Sequence, residues 1–170
     1  MSLFIIVILA AVLGISFFTD IASRRILNIV TFPAMLLGFL YYTLAGGLEG
    51  FLFSGAGFLT GLAVLFIPFA LGGMGAGDVK LMAAVGALAG TGFVLATFVL
   101  GAIIGGFLAL FILLKKQGLL SSMKAVFYFI PFIKGGSLQG IRQTAKTTTM
   151  PYGVSIVLGA VMAYAGGFGL

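Results

Sequence analysis

Six stretches of this chain are too apolar to face water as free segments: Leu3–Phe18, Ile29–Ala45, Phe51–Leu71, Val79–Gly90, Phe93–Leu114 and Tyr152–Phe168. Five hold no charged residue, and the sixth, Val79–Gly90, holds only Lys80. A bilayer-crossing helix needs roughly 17–25 mostly apolar residues, and inside hydrocarbon every backbone polar group must find its partner within the protein. Composition agrees: 7% of the residues are charged and 62% are hydrophobic, whereas a soluble domain is about one quarter charged. The expected fold is therefore all-α, a polytopic integral membrane bundle of six transmembrane helices forming one domain over residues 1–170. Val79–Gly90 is the shortest span and the one least determined by hydropathy.

Charge sets the expected orientation. The first apolar run has no basic residue ahead of it and no small-residue cleavage site, so it reads as a first helix and not as a signal peptide. Arg24 and Arg25 follow it, which puts the N-terminus outside. The inward loops are then Thr19–Asn28, Gly72–Asp78 and Lys115–Pro151. All nine basic residues (Arg24, Arg25, Lys80, Lys115, Lys116, Lys124, Lys134, Arg142 and Lys146) fall in these loops or at their edges. The outer loops carry only Glu49. That is the positive-inside pattern, and the basic residues are too few and too dispersed for a nucleic-acid patch. Within the last inward segment, Met123–Phe132 reads as an amphipathic helix lying in the interface, and Gly135–Met150 as a polar loop. The GxxxG spacings at Gly57–Gly61, Gly86–Gly90 and Gly101–Gly105 are those that let helix backbones pack closely in lipid.

Against this background two residues stand out. Asp20 directly follows the first span and Asp78 directly precedes the fourth, and they are the only acids on the expected inward side. Ionisable groups next to hydrocarbon are costly and are kept for a purpose. Each has a structural role open to it: Asp78 as a cap at a helix start, Asp20 as an i,i+4 partner of Arg24. Together they also make a carboxylate pair. Two carboxyls sharing a site cannot easily both ionise. One then serves as a base toward water while the other donates a proton to a peptide carbonyl, and the two titrate as a unit.

Absences narrow the chemistry. The chain has no histidine and no cysteine. Zinc sites of the HExxH type, thiolate zinc sites, Ser–His pairs and thiol nucleophiles are all excluded. No metal and no cofactor are expected. A Ser–Lys pair stays open in principle, since Ser23, Ser121 and Ser122 share the inward side with lysines, but nothing around them favours it. Gly75 and Gly77, in the GAGD run ending at Asp78, are able to take unusual backbone angles and to let another backbone come close, such as an extended substrate. Lys80 either tunes Asp78 or marks the membrane interface.

At this point the residues resemble a known family. GMGAGDVKLMAAVG at Gly73–Gly86 and DIASRRILN at Asp20–Asn28 are similar to the paired motifs of the type IV prepilin peptidases, membrane aspartyl proteases of the GxGD kind. MPYG at Met150–Gly153 resembles the proline-bearing start of that family's final helix. The resemblance implies catalytic aspartates at Asp20 and Asp78 and an active-site loop containing Gly75, Gly77 and Lys80. It implies an enzyme of the bacterial inner membrane, its site at the cytoplasmic face. The implied substrate is a pilin or pilin-like precursor, cut between a short basic leader and a hydrophobic helix, commonly after a glycine. Longer bacterial members carry an N-terminal CxxC-bearing extension associated with N-methylation. This chain has no cysteine and resembles the small form of tight-adherence pilus systems and of archaea, so methyltransferase activity is not expected. Two other classes use the same features differently. A proton or ion transporter would set the two acids along a pathway. A noncatalytic assembly factor of a pilus or secretion machine would not need them.

Overall fold

A computed structural model describes the backbone of residues 2–71, 73–117 and 152–168, and side chains as far as residue 111 in the long central part. The expected interfacial helix at Met123–Phe132 and loop at Gly135–Met150 lie outside the described residues. Among those described there are helices and no strands. The helices are α1 (Leu3–Ser23), α2 (Asn28–Ala70), α3 (Ala76–Gln117) and α4 (Tyr152–Ala165). The first three are long and apolar enough to cross a membrane, and large apolar side chains such as Leu3, Ile29, Leu36, Leu44, Leu59 and Phe66 stand outward, each more than half exposed. A water-soluble protein does not leave so much apolar surface bare; the bundle is built for lipid.

Two of the helices are broken. As a straight rod α2, at 43 residues, would run about 65 Å at 1.5 Å per residue, roughly twice the ~30 Å hydrocarbon core. The backbone leaves the helical region at Gly47 (φ 57°, ψ −132°), a conformation that glycine adopts at little cost. The chain folds back there. Phe39 and Phe58, which a straight helix would hold about 28 Å apart, have ring centroids 5.7 Å apart, and Tyr42 meets Phe53 at 4.7 Å. The second break is Gly90 in α3 (φ 80°, ψ 176°). Both breaks fall where apolar runs end in the sequence, at the close of Ile29–Ala45 and of Val79–Gly90.

The chain packs as two compact units, residues 1–104 with 151–170, and residues 105–150. Of the second, the helical backbone of 105–117 is described, with Phe107, Leu110 and Phe111 outward and well exposed. The core of the first unit is the short segment of α3 before Gly90. Leu81, Ala83, Ala84, Val85, Ala87 and Leu88 are all fully buried. Hydropathy ranked this span weakest because it is short and rich in small residues. Those properties suit a central helix that touches protein on all sides. A Cβ on Gly57 would meet the Gly86 carbonyl, one on Gly61 the Met82 carbonyl, and one on Gly38 the Ala87 carbonyl at 2.6 Å. Of the expected close-packing spacings, Gly57–Gly61 and Gly86 are such contacts, while Gly90 is a backbone break pressed by Phe53.

Helix ends depart from the expected ones. Apolar character stops at Phe18, but α1 continues to Ser23, closed by Arg24 in the left-handed region (φ 51°), whose N–H donates to the Asp20 carbonyl at 2.9 Å. Asp20 therefore lies in the last turn of α1 and not after it. Likewise α3 starts at Ala76, so Asp78 is in its first turn and not ahead of it. The last helix ends at Ala165, short of Phe168, where residues 166–168 turn with Gly167 at φ 80°. In each case backbone hydrogen bonding, and not side-chain apolarity, decides the boundary.

Candidate active site

The end of α1 and the starts of α2, α3 and α4 meet at one end of the first unit. Three contacts tie them together. On α3, Lys80 donates from Nζ to Oδ1 of Asn28 on α2 at 3.0 Å. Gly77 faces Ile26, in the link between α1 and α2, so closely that a Cβ there would lie 3.0 Å from the Ile26 Cβ. The amide of Val154, on α4, donates to Oδ2 of Asp20 at 3.0 Å. Arg24 and Arg25 belong to this end as well, and Glu49 sits beside the Gly47 break at the far one.

Here the structure brings the two aspartates together. Both are buried, Asp20 at 5% and Asp78 at 8% exposure, and they are near enough for the charge of Asp20 to act on Asp78. Their partners differ. Asp20 accepts from the amide of Val154, lies against Gly153 and feels the charge of Arg24. Among the described residues Asp78 accepts one hydrogen bond, from the Gly75 amide to Oδ2 at 3.2 Å. That bond is half of a capping box, an acidic side chain in the first turn reaching back to the residue before the helix. The capping role open to Asp78 is thus realised through Oδ2.

The glycine loop is less exotic than its composition suggests. Among the described residues the glycines with positive φ are Gly47, Gly90 and Gly167; Gly75 and Gly77 have ordinary backbone angles. What Gly77 accommodates is Ile26 of the same chain, and a Cβ on Gly75 would come within 3.3 Å of Asp78 Oδ2. Lys80 is not among the groups acting on Asp78. It bonds Asn28 and lies 5.4 Å from the centre of the Phe32 ring, so it ties α3 to α2. Among the described residues no group of three acids, histidines or cysteines gathers to hold a metal ion.

The residue that sequence reasoning missed is Val154, whose amide donates to Asp20. The MPYG motif marked the start of a helix there, but a backbone amide has no letter of its own. Gly153 leaves a trace all the same: a Cβ at that position would lie 2.7 Å from Asp20 Oδ2 and 2.9 Å from its Cγ, so only glycine lets the carboxylate sit on the helix start.

An all-helical membrane protein with two buried carboxylates at one end of its bundle defines a narrow class. The sequence of residues 7–110 matches the type IV leader peptidase family, a range that includes both aspartates, Asn28, the glycine loop and Lys80. The chain belongs to that family, which makes it a membrane-inserted peptidase. Comparison with curated proteins and with solved structures gave no match.

Proposed function

We propose that the protein is an aspartyl endopeptidase that removes the short N-terminal leader of pilin or pilin-like precursors, with Asp20 and Asp78 as its catalytic pair. The observation that carries this reading is the meeting of two buried acids, far apart in sequence, in a chain of this family that has no histidine and no cysteine. One carboxylate takes a proton from water as the water oxygen bonds to the scissile carbonyl carbon; the other donates to the carbonyl oxygen. The breaks at Gly47 and Gly90 support six crossings, and the charge pattern supports an outside N-terminus with the site at the cytoplasmic face of a bacterial inner membrane. A precursor whose leader is cytoplasmic and whose following helix lies in the bilayer would present its junction at that level. Gly75 and Gly77 then form the loop beside which the substrate backbone lies.

The test is cleavage of a purified pilin precursor by the protein in liposomes, followed by mass measurement of the product's N-terminus. The wild type is expected to remove the leader, whereas Asp20→Asn and Asp78→Asn insert and fold but leave the precursor whole. Full processing by both variants would overturn the reading. Proton flux that vanishes with Asp20→Asn, without any cleavage, would mark a transporter instead.

A further inference from the structure

Resting on the reading of Asp20 and Asp78 as an acid–base pair, we propose that the first turn of α4 is the positioning element of the site. Gly153 and the amide of Val154 fix where the Asp20 carboxylate lies, and the bare backbone at Gly153 serves cleavage and not folding.

The Asp20 side chain lies along Gly153 over its whole length. A Cβ added at Gly153 would be 2.7 Å from Oδ2, 2.9 Å from Cγ and 3.2 Å from the Asp20 Cβ. The next amide, that of Val154, donates to the same Oδ2 at 3.0 Å. An aspartate has two side-chain torsions, and these contacts restrain both: the amide takes one oxygen, while the bare backbone receives Cβ and Cγ. An amide donates to an ionised carboxylate and to the carbonyl oxygen of a protonated one, so the restraint works whichever acid carries the proton. It comes from a helix 134 residues along the chain from Asp20, outside the family-matched stretch of residues 7–110.

A second glycine seats the helix that carries this restraint. Gly153 and Gly159 are separated by about 240° around the helix axis, so they face different neighbours. A Cβ on Gly159 would meet the Thr97 carbonyl oxygen and the Gly101 amide nitrogen, both on α3 and both at 2.6 Å, and one on Gly101 would lie 3.1 Å from the Ser155 carbonyl oxygen. Thus α4 is wedged between Asp20 of α1 and the part of α3 beyond Gly90. The two glycines differ in what a methyl group would strike. At Gly159 it strikes backbone, which yields only if a helix moves. At Gly153 it strikes the end of a side chain, which can swing aside, so the fold is spared and the carboxylate is displaced. Ordinary contact begins at 3.4 Å. Oδ2 would therefore retreat by about 0.7 Å, and a misplacement of about 1 Å costs on the order of a hundredfold in rate. Gly153 and Val154 touch no reacting atom; they are positioning residues that act through Asp20.

Activity and stability, read side by side on the full chain, test this. Cleavage of a purified pilin precursor in liposomes gives kcat and KM, and melting in micelles followed by circular dichroism gives stability. Gly153→Ala is expected to lower kcat about ten- to a hundredfold, with KM within about twofold. Its melting midpoint should be no lower than that of the wild type, because alanine is the better helix former. Gly159→Ala should lower the midpoint, since its methyl meets backbone. An ester in place of the peptide bond joining residues 153 and 154 removes the Val154 N–H and leaves every side chain as it was. It should lower kcat about tenfold, as for loss of one hydrogen bond to a charged group. The same exchange between residues 156 and 157 removes an amide already spent inside the helix, and should leave kcat within about twofold. Wild-type cleavage by Gly153→Ala, a Gly153→Ala midpoint that falls together with its rate, or an ester at 154 no more harmful than the one at 157 would overturn the proposal. Those results leave the peptidase reading standing; full processing by Asp20→Asn and Asp78→Asn removes that reading, whatever the α4 variants do.

Discussion

The break at Gly90 leaves a debt in hydrogen bonds that can be measured. Where a helix stops, its last carbonyls lose the amides that would have followed, and where they are buried in protein no bulk water replaces them. Two of the carbonyls just before Gly90 are met by hydroxyls from α2: Ser54 Oγ donates to the Ala87 carbonyl at 2.8 Å, and the Tyr42 hydroxyl to the Leu88 carbonyl at 2.9 Å. Ser54 is fully buried. Ser54→Ala removes one small donor, adds no bulk, and strands a buried acceptor. An unsatisfied buried group costs about 1–3 kcal/mol, while side-chain hydrogen bonds inside membrane proteins average about 0.6 and reach about 1.7 kcal/mol. The carbonyl here is at a helix break and has few alternatives, so the expected loss is about 1–2 kcal/mol. Tyr42→Phe, which keeps the ring against Phe53, should cost about 1 kcal/mol. Thr60→Ala is the control: its hydroxyl bonds the Ala56 carbonyl at 2.7 Å, but that carbonyl is inside an intact helical stretch, and the loss should stay below about 0.5 kcal/mol. Reversible unfolding in mixed micelles, followed by circular dichroism, reads all three. If Ser54→Ala costs no more than Thr60→Ala, the break is not held by these hydroxyls and the reasoning fails.

Other outcomes follow from the same contacts. On the proposed pairing of the aspartates, the Asp20→Asn/Asp78→Asn double variant should cleave a pilin precursor no more slowly than either single variant; multiplying losses would mean independent roles. Gly86→Val puts two methyls and a Cβ against the Gly57 backbone, and should cost more than about 3 kcal/mol or prevent folding, as overpacking against backbone does; a folded variant of wild-type stability in the micelle titration would contradict the close packing. Lys80→Ala loses a partly exposed tie to Asn28 and should lower kcat less than about tenfold, a far milder effect than loss of either acid in the same cleavage assay.

That the chain is built of apolar helices was legible because lipid demands apolar runs, and the breaks at Gly47 and Gly90 lie close to where those runs stop. The helix ends were not. Hydropathy sees Phe18 as the end of α1, whereas the backbone continues to an αL cap at Arg24, which moves Asp20 inside the helix. The two acids stood out by scarcity, and the structure adds their proximity. Three things had no signature in the chain: the Val154 amide on Asp20, the Ser54 and Tyr42 hydroxyls on carbonyls of α3, and Ile26 filling the space that Gly77 leaves. Each is a pairing of a side chain with a distant backbone, and hydropathy and residue spacing do not carry that information.

Proximity of positions 20 and 78 is what everything rests on, and a chain without cysteine makes it directly measurable. An Asp20→Cys/Asp78→Cys variant in membranes, treated with a short bifunctional thiol reagent, should form an internal cross-link in high yield. Failure to cross-link, with the two thiols labelled by an impermeant reagent from opposite sides of the vesicle, would contradict the account.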